Sequence, residues 1–461
     1  MSASGVKIEV HLIQNFAPSN LNRDDTGQPK SAFFGGFRRA RVSSQCGKRA
    51  ARSWWREHGV ISVGERTKKL QQLICEGLER DEDFSLLEIH SETVRQAVRL
   101  FTDAYYAAAD KKKQENTSVL IFVSSDEIQV CVESVKKIWF DQVTETVKKG
   151  KTVTETIKGL ASLAEDVQAF DEKNAGSEHD AGAELTDDAE QLEGEEQDDR
   201  SRSKGKKKEN RPKLTTDKEI MTQIMNAQIS ADIAMFGRML AEKPKLNVEA
   251  ACQVAHPIST HKVDLEMDFY TAVDDLNPAE ETGAGMMGIV GFNSACFYRY
   301  AVVDRDQLAR NLAGKTTKTN AKWDEDLDAD DYLKADIVAK AFLEAMVFAI
   351  PTGKQNSFAA QNLPSFGLLV RRRGGVPMSL ANAFAKPVRT THDDDDLIGL
   401  SVDALTRHWD MMNRVYGDYG VRAVACFQVG QDEKRLNSLR HADKGTVLEA
   451  INAIFEGAAE S

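Results

Sequence analysis

The sequence predicts an α+β fold of ferredoxin-like type, a sheet with helices on one face, carrying a helical excursion and a glycine-rich protrusion. Three observations predict it. Strand-like alternation opens the chain in VKIEVHLI (residues 6–13), helical periodicities separate the later strand candidates, and two compositionally distinct stretches interrupt the pattern. At 461 residues, 41% apolar and 29% charged, the chain has the makeup of an ordinary folded protein with room for more than one packing unit. No apolar run approaches the ~20 residues of a membrane helix. MSASGVKIEV has neither the basic nor the apolar region of a secretory signal. The six cysteines are scattered without a CxxC, which excludes a zinc ribbon and points to a reducing, cytoplasmic setting.

In residues 6–13, Val6, Ile8, Val10 and Leu12 share one face, and Lys7, Glu9 and His11 the other, which predicts a strand with one buried face. A polar loop comes next, from about Asn15 to Phe37, broken by Pro18, Gly27, Pro29, Gly35 and Gly36, and a loop of that length is usually functional. Ser43 is a good N-cap for a helix. On it, Lys48, Arg52 and Arg56 recur every four residues as a basic stripe, with Ala50, Ala51 and Trp54 facing the other way. Residues 65–159 read as mostly helical with a polar break at 111–117, and 216–232 as helical again. Residues 233–239 and 248–260 read as strands, 262–295 as a turn-rich segment, and 296–303 as a strand. A helix is expected over 332–349, with Leu333, Ile337, Ala341, Ala345 and Phe348 on one stripe. After it come a strand (365–372), a helix (397–414), a strand (421–429) and a helix (443–457).

The formal net charge of −12 would by itself argue against a polyanionic partner. Its distribution reverses that argument. Residues 171–199 alone carry a net −12, and 200–213 carry +7. These blocks hold too few apolar groups to offset chain entropy, so 171–213 is read as a disordered charged insertion. A solvated tether explains it more simply than an acidic arm mimicking nucleic acid. Residues 22–56 carry nine bases against Asp24 and Asp25, a net +7 in a segment that reads as folded, which is the footprint of a phosphate-binding surface.

Few motifs in the chain could carry chemistry. Gly283, Gly285 and Gly288 spell GxGxxG, but the residues after them are strand-like rather than helical, so a dinucleotide site is rejected in favour of a hairpin-like loop. There is no P-loop, HExxH or GxSxG. His256 and His261 near Asp264 and Asp268 have no diagnostic spacing and read as structural histidines. Asp274, Asp275 and the run 393–396 could bind a hard cation or form solvated acidic loops. Asp24 and Asp25, beside Arg23 and Lys30, could hold a metal and attack a phosphodiester, or could simply orient Arg23.

The segments NLNRDDTGQPKSAFFGGFRRARVSSQCGKRAARSW (20–54) and THKVDLEMDFYTAVDDL (260–276) closely resemble the CasC-type backbone subunit of the type I-E CRISPR Cascade complex, a member of the RAMP superfamily. FGRM (236–239), FYRYAVV (297–303), GKQNSFAAQNLP (353–364) and VPMSLANAFAKPV (376–388) extend the resemblance in order over about half the chain. The charged insertion and the longer helical region before it depart from the pattern.

The resemblance implies a hand-shaped, non-catalytic subunit needing no cofactor or metal. Its palm would be a modified RNA-recognition (RRM-like) fold built from 1–60, 248–261 and 298–461. The helical fingers would span 61–247 and the thumb hairpin 262–297. Copies, six in the family, would stack head-to-tail along a CRISPR RNA (crRNA), and each thumb would flip a nucleotide of the neighbour's segment. The exposed bases would pair with target DNA, other Cascade subunits would complete the particle, and a recruited nuclease-helicase would degrade the DNA. By matching position, Arg23, Lys30, Ser43, Gln45, Lys48, Arg49 and Arg52 would grip the RNA backbone, and Met239 would pack at the kinked nucleotide. The residue types suit the task, because a subunit that must hold any guide reads phosphate and sugar rather than base edges. The competing reading from the residues is a metal-dependent ribonuclease, as in type III-like complexes, using Asp24 or Asp25.

Overall fold

The structure is a computed structural model that describes residues 5–85, 91–148, 218–272, 286–315, 327–392, 395–418, 420–430 and 432–456. The charged insertion 171–213 lies outside these residues. In chain order the strands are β1 (Val6–Ser19), β2 (Ser31–Phe34), β3 (Phe37–Ala40), β4 (Glu65–Thr67), β5 (Ile121–Val123), β6 (Cys252–Val254), β7 (Ile258–Ser259), β8 (Glu266–Ala272), β9 (Met286–Asp304), β10 (Phe366–Arg373) and β11 (Val421–Gln428). The chain divides into two compact units, one of Met1–Glu65, Phe122–Asp126 and Asn226–Ser461, the other of Arg66–Ile121 and Glu127–Met225.

The first unit is built on a mixed helix-and-sheet architecture whose main sheet runs in the order β11-β10-β1-β9-β6, each neighbouring pair antiparallel. Helix α1 (Ser44–His58) lies between β1 and β6 in sequence. The helices Arg305–Leu312 and Ala329–Phe348 connect β9 to β10, and Leu397–Tyr416 connects β10 to β11.

Helices cover both faces of this sheet, not one. On one side Ile8, Val10 and Leu12 pack with Trp55 of α1, with Val338 and Phe342 of Ala329–Phe348, and with Ile451 of the C-terminal helix Val447–Ala453. On the other, Tyr298, Leu368 and Val370 pack with Leu405 and Trp409 of Leu397–Tyr416 and with Leu436 and Leu439. Consequently β1, expected to bury one face, buries both. Its polar residues are each matched by a neighbouring strand. Lys7 Nζ donates to Asp304 Oδ2 at 2.5 Å, Glu9 Oε1 accepts from Arg372 Nε at 2.7 Å, and His11 Nδ1 lies 2.9 Å from the Tyr298 hydroxyl. Burying these polar groups costs little only because each is paired in this way. The alternation in VKIEVHLI was therefore real, but it separated an apolar core from an ionic one.

Ser43 caps α1 as expected, its Oγ accepting from Cys46 N, and Gly59 closes the helix in the left-handed region (φ 61°). The buried tryptophan is Trp55, one turn after buried Ala51. Trp54 is half-buried and stacks on His58. Residues 233–239, expected as a strand, instead begin inside a short helix, Ala231–Phe236. Its residues Ala231–Met235 are buried all round, so no periodicity distinguishes helix from strand there. The expected 248–260 strand is two short pieces, β6 and β7.

In Ala329–Phe348 the buried residues include Ala335, Val338, Phe342 and Met346 together with Ala341 and Ala345 of the expected stripe, whereas its Leu333 and Ile337 are exposed. A capping box between Asp328 and Asp331 starts this helix. Asp328→Ala is expected to lower stability by about 1 kcal/mol, seen as a lower urea midpoint, with Asp328→Asn nearly neutral.

The described residues of the second unit are mostly helical, as expected. Leu70–Arg80, Ser91–Tyr105 and the helix that begins at Ser125 contribute Ile74, Leu78, Phe101, Tyr105, Cys131 and Val132 to its core. Gly77 permits the close approach, because a Cβ there would lie 2.5 Å from Val132 Cγ2.

Candidate nucleic-acid interface

The basic segment 22–56 folds as three joined pieces. In the first, the loop after β1, the Asn20 amide donates to Gly27 O and Gly291 O, both at 3.0 Å, pinning the loop to the lower part of β9. Asn22 Oδ1 accepts from Ser43 N at 2.8 Å and Asn22 O from Lys30 N at 2.9 Å, tying the same loop to the start of α1. The second piece is the β2–β3 hairpin. Its Arg39 is fully buried and donates to the carbonyls of Ser259 and Phe384, which fixes the hairpin on the sheet. Phe33, at 79% exposure, stands out from it. The third is α1 itself.

The expected RNA-contacting residues fall into groups. Arg23, Gln45 and Arg49 are exposed, with Gln45 and Arg49 one turn apart on α1. Lys30 and Arg49 both lie close enough to Cys46 to favour its thiolate, although burial dominates and pushes the Cys46 thiol up. Lys48 places its Nζ 5.5 Å from the Phe236 ring, which brings α1 beside the segment leading to Met239. Met239 is 83% exposed. Ser43 spends its side chain on capping α1. Arg52 is turned inward: its Nε donates to Asp232 Oδ2 at 2.7 Å, its Nη2 to Gly64 O at 3.0 Å, and its guanidinium lies 4.4 Å from the Phe122 ring. Arg56 also donates to Gly64 O. The stripe Lys48–Arg52–Arg56 is thus divided, with Arg52 holding α1 in place.

The carboxylates that could have carried chemistry have local explanations. Asp24 Oδ1 accepts from Thr26 N, Thr26 Oγ1 and Gln28 N at 3.0, 2.8 and 2.9 Å. Burial opposes ionisation there, but these donors and the charge of Lys30 outweigh it and hold the carboxyl below its ordinary value. Asp25 is exposed, and among the described residues no three His, Cys, Asp or Glu side chains gather as metal ligands would. His261 is structural, as expected: its Nε2 accepts from Cys296 N at 3.2 Å and its Nδ1 lies 2.9 Å from Lys262 O. His256 Nδ1 lies 2.8 Å from Arg41 Nη1. Asp395 accepts from the backbone N–H groups of Thr391 and His392, and Asp396 from those of Ile398 and Gly399 in the first turn of Leu397–Tyr416. Asp274, Asp275, Gly283, Gly285, Asp393 and Asp394 lie outside the described residues.

β8 and β9 form a two-stranded arm in which Glu266 pairs with Phe292 and Ala272 with Met286. β9 then continues through 19 residues into the main sheet, so the expected boundary at 297/298 falls within one strand. Met267, Phe269, Met287 and Ile289 share one face of the arm and are all more than half exposed. Gly288 lies under Tyr270, where a Cβ would stand 2.4 Å from the ring. The sequence reading found the glycines of this arm but not its apolar face. The spacing by two of Met267 and Phe269, and of Met287 and Ile289, was the available signal.

Comparison with known families matches residues 8–453 to the CT1975-like protein family. A chain of a CRISPR RNA-guided surveillance complex, pre-nicking, superposes with a TM-score of 0.66 at 23% identity, covering 98% of this chain and 100% of that one. A chain of a second CRISPR RNA-guided surveillance complex gives 0.58 at 19% identity, covering 97% and 98%. At these identities the likeness is one of fold. No curated protein matches the chain. The family match bears out the resemblance carried by residues 20–54 and 260–276.

Proposed function

Because this chain belongs to the CT1975-like protein family, we propose that it is the non-catalytic backbone subunit of a type I-E CRISPR Cascade surveillance complex. It polymerises along crRNA, kinks it at regular intervals and presents the bases between for pairing with target DNA. The observation that carries this reading is the basic surface at the start of α1, tied through Asn20 and Asn22 to the loop of Arg23 and Lys30 and to the base of the β8–β9 arm. Backbone phosphates and an arm that crosses them would then be held by one connected frame. Arg23, Lys30, Gln45, Lys48 and Arg49 contact the RNA directly, Ser43 caps α1 and Arg52 seats it beneath those contacts, and Met239 packs at the kink.

The order β10-β1-β9-β6, with helical crossovers after β1 and β9, supports an RRM-like palm made of 1–60, 248–261 and 298–461. The helical 61–247 are the fingers and 262–297 the thumb. Six copies stack head-to-tail in the cytoplasm with the other Cascade subunits, and a recruited nuclease-helicase cuts the DNA. The ribonuclease alternative is not favoured, since the Asp24 carboxylate is already occupied by its own turn.

The test is to coexpress the chain with a crRNA and partner subunits and to offer complementary RNA and DNA with magnesium. A guide-protecting particle that binds complementary DNA without cutting is the expected result. Regular cuts in complementary RNA, lost in Asp24→Ala or Asp25→Ala, would overturn it. In the same particle Lys48→Ala with Arg49→Ala is expected to weaken RNA binding about ten-fold or more and to flatten its salt dependence by roughly 1.4 units of log–log slope, 0.7 for each lost phosphate contact.

A further inference from the structure

The fold sorts the sulfur atoms of the chain by what an oxidant can reach. The cysteine thiols are hard to ionise. Burial pushes Cys75 and Cys296 up to about 11 and Cys131, Cys252 and Cys426 to about 12, and it raises Cys46 as well. A protonated thiol is a poor nucleophile toward peroxide. The methionines divide instead by exposure. Met235 and Met346 are buried, whereas Met239 is 83% exposed, Met287 67%, Met286 58% and Met267 56%. These four stand on the β8–β9 arm and on the segment beside α1. Met267 and Met287 flank the Phe269–Ile289 pair on the apolar face of the arm, and Met286 opposes Ala272 on the other face. Residues 266–272 and 286–292 of the arm include no Lys or Arg. Whatever the arm grips, it grips by apolar contact rather than by positive charge.

We propose that Met239 and the three arm methionines are oxidation sites, and that their conversion to sulfoxide by a peroxide loosens the subunit from its RNA filament. The inference rests on the backbone reading above and adds a reversible regulation to it. The step is an oxygen transfer. The thioether sulfur attacks one oxygen of hydrogen peroxide, the O–O bond breaks, and a sulfur–oxygen bond forms. Sulfur loses two electrons. The departing hydroxide takes the proton from the sulfur-bound oxygen and leaves as water. A dithiol-dependent sulfoxide reductase reverses the change, returning thioether and water while the dithiol closes to a disulfide. Oxidation turns a flexible apolar side chain into a polar one. Each contact that buries the sulfoxide then strands an acceptor without a donor, which apolar packing does not tolerate cheaply. Met411, also exposed, lies on Leu397–Tyr416, which carries none of the residues assigned to RNA, and serves as an internal control.

The experiment uses the full chain as wild type and as a fourfold variant, Met239→Leu, Met267→Leu, Met286→Leu and Met287→Leu, which keeps the apolar surface and removes the sulfur. Each is treated with hydrogen peroxide, quenched with catalase and mapped by peptide mass spectrometry. Binding to a single-stranded RNA long enough for several copies is then titrated. In the wild type the four methionines and Met411 are expected to oxidise well before Met235 and Met346. RNA affinity is expected to fall about ten-fold, and methionine sulfoxide reductases A and B together to restore it. The variant is expected to bind as untreated wild type does, before and after peroxide, although Met411 oxidises in both. Should the fourfold variant not fold, Met239→Leu with Met287→Leu is expected to reduce the loss.

Full RNA affinity in wild type carrying the four sulfoxides overturns the inference. An equal loss in the variant also overturns it, because the sensitive group then lies elsewhere. So does a loss that the reductases leave unrepaired. In each of these cases untreated wild type still binds RNA, and the backbone reading stands. No RNA binding by untreated wild type removes that reading and this inference with it.

Discussion

Arg372→Met is expected to cost about 3–5 kcal/mol of stability at pH 7, because it leaves a carboxylate charged and alone in the middle of the sheet. Glu9 and Arg372 are both fully buried. Arg372 Nε donates to Glu9 Oε1 at 2.7 Å and its Nη1 to Asp418 O at 3.2 Å, while Glu9 Oε2 accepts from Met378 N at 3.0 Å. Burial alone would raise the Glu9 pKa. The His11 ring, 3.7 Å away, and the Arg372 guanidinium outweigh it, and the carboxyl sits below its ordinary value.

A carboxyl depressed in this way contributes stability that is present above its unfolded pKa, near 4.5, and is lost as pH falls through the folded value. Wild type is therefore expected to weaken in acid below about pH 4.5. Without Arg372 the Glu9 carboxyl rises and protonates readily, so the deficit of Arg372→Met narrows as pH falls. The double variant Glu9→Gln with Arg372→Met removes both charges and is expected to recover much of the loss. Urea titrations of the three chains at pH 7 and pH 4.5 check this. An equal deficit in single and double variants would show that packing, not the stranded charge, sets the cost.

Trp55→Ala is expected to cost about 3–5 kcal/mol and to weaken RNA binding as well. Trp55 is fully buried, with its ring 5.4 Å from Phe236 and 6.4 Å from Phe342 between ring centres, and its Nε1 donates to Ala341 O at 3.0 Å. The substitution opens a cavity beneath α1 and frees the helix that carries Gln45, Lys48 and Arg49. Trp55→Phe keeps most of the apolar contact and loses the hydrogen bond, and is expected to cost about 1–2 kcal/mol. Thermal melts give the stability, and RNA titration the coupled loss. Undiminished RNA affinity in a destabilised Trp55→Ala would mean that α1 does not present the contacts.

Much of the architecture was legible in the sequence. The strands of VKIEVHLI, FYRYAVV, SFGLLVRR and VRAVACFQV stand where alternation and apolar runs put them, and Ser43 announced α1 by its capping chemistry. The basic segment 22–56 was legible from charge density, because clustered guanidinium and ammonium groups in a folded stretch need an anion nearby. Other elements were not legible for identifiable reasons. Ala231–Phe236 is buried on every side, so its apolar run has no period to read. Leu333 and Ile337 are exposed while Ala341 and Ala345 on the same stripe are buried, and spacing alone does not say where along a helix the stripe meets the core. Trp54 and Trp55 differ by one position, a rotation of about 100° on a helix, and only the packing partners choose between them.

The amino-acid sequence by itself determined most element types, the cap of α1, the basic segment and the family, since these depend on neighbours close in the chain or on side-chain chemistry alone. Only the tertiary structure decided which charges are available. Arg52 and Arg49 look alike in sequence, yet Asp232, 180 residues away, draws Arg52 inward and leaves Arg49 exposed. Lys7, Glu9 and His11 look like a solvated strand face, yet Asp304, Arg372 and Tyr298 bury them. Arg299 looks like one base in an apolar strand, yet the fold buries it against Gln14. The physical reason is common to all three. The energy of a charge depends on its partners and on its loss of water, and both are fixed by contacts between residues far apart in the chain.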